Sequence, residues 1–237
     1  DPTMCLDPTM KIGHQLTEAI QIHRKLSKQE AKAEAIKLME MVQIPEAEKR
    51  LNHYPYQFSG GMCQRVMIAI ALACHPKLLI ADEPTTALDV TIQRQIINLI
   101  KDLKKRLGMS VMLITHDLSI VAGLADRVAV MYAGKIVEEG RLENMFYHFK
   151  HPYTEALLKS LPSMETDPKA ELESIPGMPP DLLLPIEGCA FAPRCHKKMR
   201  ICLKSAPPDF EIEEKHRVAC WCQHPDFKEP EKEAENE

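Results

Sequence analysis

Leu78-Leu79-Ile80-Ala81-Asp82-Glu83-Pro84 is the stretch from which the fold can be read. Four apolar residues run without interruption and stop at two carboxylates and a proline. That is the pattern of a buried parallel strand that delivers its acids to the end of a sheet. Downstream, Val90 to Leu107 reads as a helix, with Asp89 as N-cap and Gly108 as stop. Val111 to Thr115 is another buried strand, followed by His116 and a short helix to about Ala125. Arg127–Tyr132 and Lys135–Glu138 read as a hairpin joined at Ala133-Gly134. Strand, helix, strand, helix predicts an α/β layer with a parallel sheet. Upstream, Ser59 to Ala73 predicts a helix closed by His75-Pro76. Ser27-Lys28-Gln29-Glu30 has the capping-box pattern ahead of a helix through Ala31, Ala35, Ile36, Met39 and Val42, which Pro45 helps to stop.

The 237 residues, 45% of them hydrophobic, suffice for one large domain, or one domain with an appendage. A net charge of -4 gives no electrostatic invitation to nucleic acid. No apolar run approaches the length that crosses a bilayer, so membrane association is expected through a partner. Eleven of the eighteen prolines lie from Pro162 onward, which predicts a loop-rich region followed by a charged tail from Asp226. Five of the eight cysteines (Cys189, Cys195, Cys202, Cys220, Cys222) crowd the same region. In a chain that shows no export signal, such clustering reads as metal chemistry before disulfides.

Three separate elements point to nucleoside triphosphate chemistry. A strand-end acid such as Asp82 can hold Mg²⁺ directly or through water, and Glu83 beside it can orient or deprotonate an attacking water. Ser59-Gly60-Gly61 opens a helix whose N–H groups and positive dipole end suit a phosphate, the glycines allowing close backbone approach. His116, at the end of a strand, can donate a hydrogen bond to a γ-phosphate. Each has a plainer alternative when taken singly: a solvated strand end, an ordinary N-cap, a polar loop histidine.

Taken in order, Phe58-Ser59-Gly60-Gly61-Met62, then Asp82-Glu83, then Ala87-Leu88-Asp89, then His116, the sequence resembles the ATP-binding-cassette family from Phe58 to Gly140. The matches are to its signature motif, Walker B motif, D-loop and switch histidine. The resemblance implies a partial P-loop NTPase fold and a head-to-tail dimer with two composite sites. Asp82, Glu83 and His116 would act on ATP and Mg²⁺ of their own subunit. Ser59, Gly60 and Gly61 would clamp the γ-phosphate held by the opposite one, with Asp89 at the seam. No G-x-x-x-x-G-K-[ST] occurs in the sequence, so the phosphate-cradling loop is missing. Asp1-Pro2-Thr3-Met4 resembles the residues that come after the family's Q-loop glutamine. The expectation is a chain that starts inside the cassette and does not hydrolyse ATP alone.

Phe58 to Val66, Asp82 to Thr91 and His151-Pro152-Tyr153-Thr154-Glu155-Ala156-Leu157 are similar to the ATPases of dipeptide and oligopeptide permeases and their nickel-import relatives. This similarity divides the chain into a helical subdomain (1–58), an ATPase core (59–147), a cysteine-containing C-terminal extension (148–225) and a charged tail (226–237). The implied function is ATP hydrolysis energising a peptide importer. The implied partners are a second ATPase subunit, transmembrane permease subunits and, indirectly, an extracytoplasmic binding protein, at the cytoplasmic face of the membrane. A nickel importer and a soluble cassette ATPase are the alternatives. A DNA-repair cassette would carry heptads before the signature, and a translation factor two cassettes with basic linkers. A silent partner lending only Ser59 and its glycines is a further alternative, against which Glu83 and His116 speak.

Cys189, Cys195, Cys202 and Cys220 are separated by five, six and seventeen residues, a poor match to a zinc ribbon. Four thiolates on an irregular loop suit an iron–sulfur cluster, and the resemblance implies a [4Fe–4S] cluster there. Zinc and unligated thiols stay open, with Cys222 a substitute for Cys220. Cys5, Cys63 and Cys74 read as structural.

Overall fold

The structure, a computed structural model, describes residues 5–86, 88–161 and 174–227. The opening tetrapeptide, Ala87 and nearly all of the expected charged tail lie outside the described residues. Two compact units are present, Asp1–Leu124 and Ala125–Glu237.

In the first unit, helices α1 (Ile12–Arg24), α2 (Lys28–Met41), α3 (Ala47–Arg50) and α4 (Gly60–Leu72) precede strand β1 (Leu78–Asp82). Helix α5 (Val90–Leu107), strand β2 (Ser110–Ile114) and helix α6 (Leu118–Leu124) complete it. Ile12, Leu16 and Ile20 recur every fourth residue and put one wholly buried stripe on α1. They join Ala31, Ala35, Leu38 and Met39 of α2, Val66, Ala69 and Leu72 of α4, and Ile96, Leu99, Ile100 and Leu103 of α5 in one cluster. Each Leu, Ile, Val or Met among them contributes about 1.5–3 kcal/mol on burial. One core therefore runs from the N-terminal helices through to α5, which is why residues 1–58 do not separate from the remainder of the unit.

Local signals act as read. Ser27 Oγ accepts from the Glu30 N–H at 3.3 Å, and the Ser27 N–H donates to Glu30 Oε2 at 2.9 Å, closing the capping box. Asp89 Oδ1 accepts from the Ile92 N–H at 3.0 Å, and Gly108 ends α5 with φ +62°. β1 and β2 pair in parallel, Leu78 opposite Ser110 through Asp82 opposite Ile114. They differ from the expectation in burial: Leu79 and Ala81 face the helices, whereas Ile80 is 59% and Met112 52% exposed. Strand residues alternate between faces, and helices of this unit cover only one of them.

The second unit holds β3 (Arg127–Tyr132), β4 (Lys135–Arg141), α7 (Leu142–Tyr147), α8 (Pro152–Lys159), β5 (Phe210–Glu213) and β6 (His216–Val218). Ala133 and Gly134 make the hairpin turn, both with positive φ. The expected loop-rich extension contains two strands that the sequence reading missed. β6 and β5 add to the hairpin and give an antiparallel sheet in the order β3-β4-β6-β5. They are three and four residues long, too short for their alternation to stand out. Phe191 is 2% exposed and meets the Tyr132 and Tyr153 rings, each at 5.3 Å between centroids.

Across this sheet lies a polar network centred on two fully buried side chains, Glu138 and His216. Glu138 accepts from the Lys150 N–H at 2.7 Å, the His151 N–H at 3.0 Å and His216 Nε2 at 2.9 Å, while Asn144 Nδ2 meets His216 Nδ1 at 3.1 Å. Removing one member strands the others in the core. Glu138→Ala is expected to destabilise the protein by about 3–5 kcal/mol in urea denaturation, and Glu138→Gln, which keeps an acceptor, by markedly less. Equal losses for the two would show that the carboxylate's bonding does not matter there.

Candidate functional site

The β1/β2 ladder extends by one bond beyond the strands, from the Glu83 N–H to the Ile114 carbonyl at 2.9 Å. Glu83 takes φ +45°, a left-handed geometry uncommon outside glycine. The chain turns sharply there, and the Thr86 N–H returns to the Glu83 carbonyl at 3.2 Å. The turn directs Glu83 at the loop that leaves β2: Glu83 Oε1 lies 2.8 Å from His116 Nδ1. Its other oxygen accepts from Thr86 Oγ1 at 3.2 Å. Asp82, the last residue of β1, stands exposed beside them. Two residues singled out from the sequence thus meet, and Thr86, which was not singled out, joins them. Its signal was present: a hydroxyl three residues after an acid at a turn is placed to bond back to it.

The His116 hydrogen bond is the main cause holding the Glu83 carboxyl below its usual range, and burial opposes it. The same bond pushes His116 above its ordinary value. Both groups touch solvent, so their attraction is screened.

Ser59, Gly60 and Gly61 form a second cluster. Ser59 caps α4, its Oγ accepting from the Met62 N–H at 3.4 Å. Ser59 and Gly60 are exposed, whereas Gly61 is buried. A Cβ on Gly61 would stand 2.7 Å from Cγ2 of Ile92, in the first turn of α5, and one on Gly60 would stand 3.6 Å from Leu88. The second glycine is thus required by helix packing, apart from any phosphate. Asp89, the expected seam residue, spends Oδ1 on capping α5. Two residues not foreseen tie this region together. The Gln93 amide donates to the Thr85 carbonyl at 3.2 Å and the Leu88 carbonyl at 3.1 Å, fixing the segment between Glu83 and Asp89. Arg65 of α4 donates to the Val42 carbonyl at 2.9 Å and to Gln95 Oε1 at 3.3 Å, linking the end of α2 to α5.

In the second unit, Cys189, Cys195, Cys202, Cys220 and Cys222 line one small pocket with His151. Gly188, at φ +75°, permits this: a Cβ there would collide with the Cys202 carbonyl oxygen. The Cys189 N–H donates to that carbonyl at 2.7 Å. Burial pushes the Cys195 thiol up to about 11 and raises Cys189, and a hydrogen bond with Cys222 is the main cause raising Cys220. Among the described residues, however, no group of three or more His, Cys, Asp or Glu side chains is set to hold a metal ion. The cluster ligation expected of Cys189, Cys195, Cys202 and Cys220 is therefore not formed among the described residues: the thiols converge on the pocket without reaching ligand geometry. Cys63 is buried and its thiol reaches the Pro55 carbonyl, but Cys5 and Cys74 are exposed, against the structural role expected of them.

His151 caps α8, its Nδ1 accepting from the Tyr153 N–H at 3.0 Å. The ring is 1% exposed, and its Nε2 is buried with no hydrogen-bond partner. Burial lowers its pKa to about 4. The neutral ring therefore carries its proton on Nε2, and leaving such a donor unmet costs about 1–3 kcal/mol.

Two regions of the chain match known families. Residues 3–86 match the family described as ABC transporter, and residues 137–202 match the oligopeptide/dipeptide transporter C-terminal region. A dimeric bacterial ABC transporter cassette of known structure superposes with a TM-score of 0.52 at 31% identity, over 59% of this chain and 60% of that one. This chain belongs to the ATP-binding-cassette family. Within it, the C-terminal region and the curated relatives group it with the ATP-binding proteins of oligopeptide and dipeptide transport. It is 55% identical to the oligopeptide transport ATP-binding protein OppD of Bacillus subtilis, over 95% of this chain and 63% of that one. It is 51% identical to the dipeptide transport ATP-binding protein DppD of the same organism, over 94% and 66%. The oligopeptide transport protein AmiE of Streptococcus pneumoniae is also 51% identical, over 99% and 66%. The chain thus spans a little under two thirds of the length of these relatives.

The Glu83–His116 pair makes a titration test. His116 should titrate above its ordinary value of about 6.5 when monitored by NMR, and fall back toward it in Glu83→Gln. The pair's contribution to stability is whole between the unfolded glutamate and histidine values. It is lost as pH rises through the raised His116 value, or falls through the lowered Glu83 value. An unshifted His116 would dissolve the pair.

Proposed function

We propose that this chain works within an ATP-hydrolysing subunit that drives import of dipeptides or oligopeptides. The observation that carries the reading is the pairing of Glu83 with His116 at the common end of β1 and β2, beside Asp82. In this reading Glu83 holds the attacking water, and its lowered pKa keeps it ionised for that role at neutral pH. His116 fixes the carboxylate and offers its ring to the γ-phosphate; Thr86 holds the second oxygen. Asp82 is the ligand for Mg²⁺, which would neutralise phosphate charge when bound. Ser59 and Gly60, exposed at the start of α4, serve a nucleotide on a second subunit, with Asp89 at the seam.

Peptide is favoured over nickel as cargo because the named relatives are peptide transport proteins. Among the described residues no helix is long and apolar enough to cross a membrane. The proposed location is the cytoplasmic face, on transmembrane permease subunits that receive an external binding protein. In the full-length protein, Glu83→Gln should lower kcat for ATP at least about 10²-fold while ATP binding persists, and peptide uptake should fall with it. Unchanged turnover would remove Glu83 from this role; uptake of nickel in place of peptide would reassign the cargo.

We also propose that the cysteine pocket closes around a thiolate-ligated metal group, an iron–sulfur cluster in preference to zinc. The donor set supports it: five thiols on one pocket, brought together by a glycine that nothing larger can replace. Such a group would cross-link loop segments, and its binding would expel the thiol protons. Anaerobically purified protein should carry iron and acid-labile sulfide, and Cys202→Ser should lose both. Stoichiometric zinc, or no metal, would decide against the cluster.

A further inference from the structure

We propose that Gln93 is a positioning residue for ATP hydrolysis, its amide tying the turn that aims Glu83 to the helix start that bears Asp89. This rests on the hydrolytic reading of Glu83 and adds to it a residue and a route. Three observations carry it.

The first is that Glu83 has to be held. Its φ of +45° is one that a residue other than glycine keeps only where its surroundings impose it. On the upstream side the sheet imposes it, through the Glu83 N–H and the Ile114 carbonyl at 2.9 Å. On the downstream side the turn does so. The Thr86 N–H returns to the Glu83 carbonyl at 3.2 Å, and Thr86 Oγ1 donates to Glu83 Oε2, also at 3.2 Å.

The second is what holds that turn. Thr85, next to Thr86, is 4% exposed. Its carbonyl accepts from the Leu88 N–H at 3.3 Å and from Gln93 Nε2 at 3.2 Å, so both lone pairs of that oxygen are in use. The third is that the same Gln93 nitrogen also donates to the Leu88 carbonyl at 3.1 Å. Leu88 directly precedes Asp89, the N-cap of α5, so its carbonyl lies outside the helix's own ladder.

Both N–H bonds of one amide are thus spent on backbone, at the two ends of the connection between Glu83 and Asp89. Gln93 stands early in α5, its own N–H bonded to the Asp89 carbonyl at 2.9 Å, so the amide is carried on a rigid element. The place calls for a double donor. A carboxylate of the same shape would turn acceptors toward two carbonyls, and an apolar chain of the same length would offer them nothing. Gln93 acts on Glu83 through Thr85 and Thr86, which makes it a positioning residue and not a catalytic one.

The test uses the full-length protein with Gln93→Met, Thr86→Val, the two combined, and Glu83→Gln as reference. Gln93→Met keeps the length of the side chain and removes both donors. Its KM for ATP should stay near that of wild type while kcat falls about tenfold or more, since a small misplacement of a reacting group is costly. Because Gln93 works through Thr86, the double variant should lose no more than the slower of the two single variants. Suppose Glu83→Gln is slow, as the hydrolytic reading requires. Then a Gln93→Met kcat equal to wild type, or losses that multiply in the double variant, would overturn the role of Gln93 and leave that reading intact. If Glu83→Gln turns over as fast as wild type, the hydrolytic reading falls and this inference with it. If Gln93→Met does not fold, Gln93→Glu, which keeps the shape and loses the donors, carries the kcat comparison.

Discussion

The parallel pairing of β1 with β2 is the constraint on which the candidate ATP site depends. Two chain segments more than thirty residues apart end at the same level because Asp82 stands opposite Ile114. The next backbone bond, from Glu83 to Ile114, holds the turn at the point where φ becomes positive. A one-residue slip in that register would send the Glu83 and His116 side chains to opposite faces, because strand side chains alternate. The acid and the imidazole are thus placed by backbone hydrogen bonds, and the attraction between them only sets their final orientation. That order of causes lets the pair keep its geometry when its charges change.

The signature segment is tied to the same frame by packing. Gly61 lies close against Ile92, leaving no room for a side chain, so the start of α4 cannot move toward α5 without a clash. Arg65 adds a polar link from α4 to the end of α2 and to Gln95 of α5. Gln93 fixes the segment leading from Glu83 to Asp89. A displacement at Glu83 is therefore felt at Asp89 and at the start of α4 through close contacts and two side-chain amides.

The parts legible in the sequence were those governed by local chemistry. The α5 boundaries came from Asp89 and Gly108, the capping box from Ser27 and Glu30, and the hairpin turn from Ala133-Gly134. Motif order was enough to single out Glu83 and His116, which do meet. Features that need partners distant in sequence were not legible. Glu138 reads as a polar residue on a hairpin, and only its contact with His216, 78 residues on, makes it a core group. β5 and β6 are strands because β4 is beside them, since three or four residues carry too little propensity alone. The burial of β1 was misjudged for the same reason: an apolar run says that a strand is buried, but which faces are covered depends on elements elsewhere.

The second unit compensates for a thin apolar core with polar bonds of high specificity. Its buried hydrophobic cluster is small, centred on Val130, Tyr132, Val137, Met145 and Phe191. Around it, Glu138 joins β4 to β6 and to the start of α8, and Asn144 brings in α7. Each bond has a defined direction, so the network fixes one arrangement of four elements where a few aliphatic side chains would tolerate several. His151 lies at the edge of this network, with its N–H inside it and its Nε2 beyond it. That unmet donor belongs to a ring on the cysteine pocket.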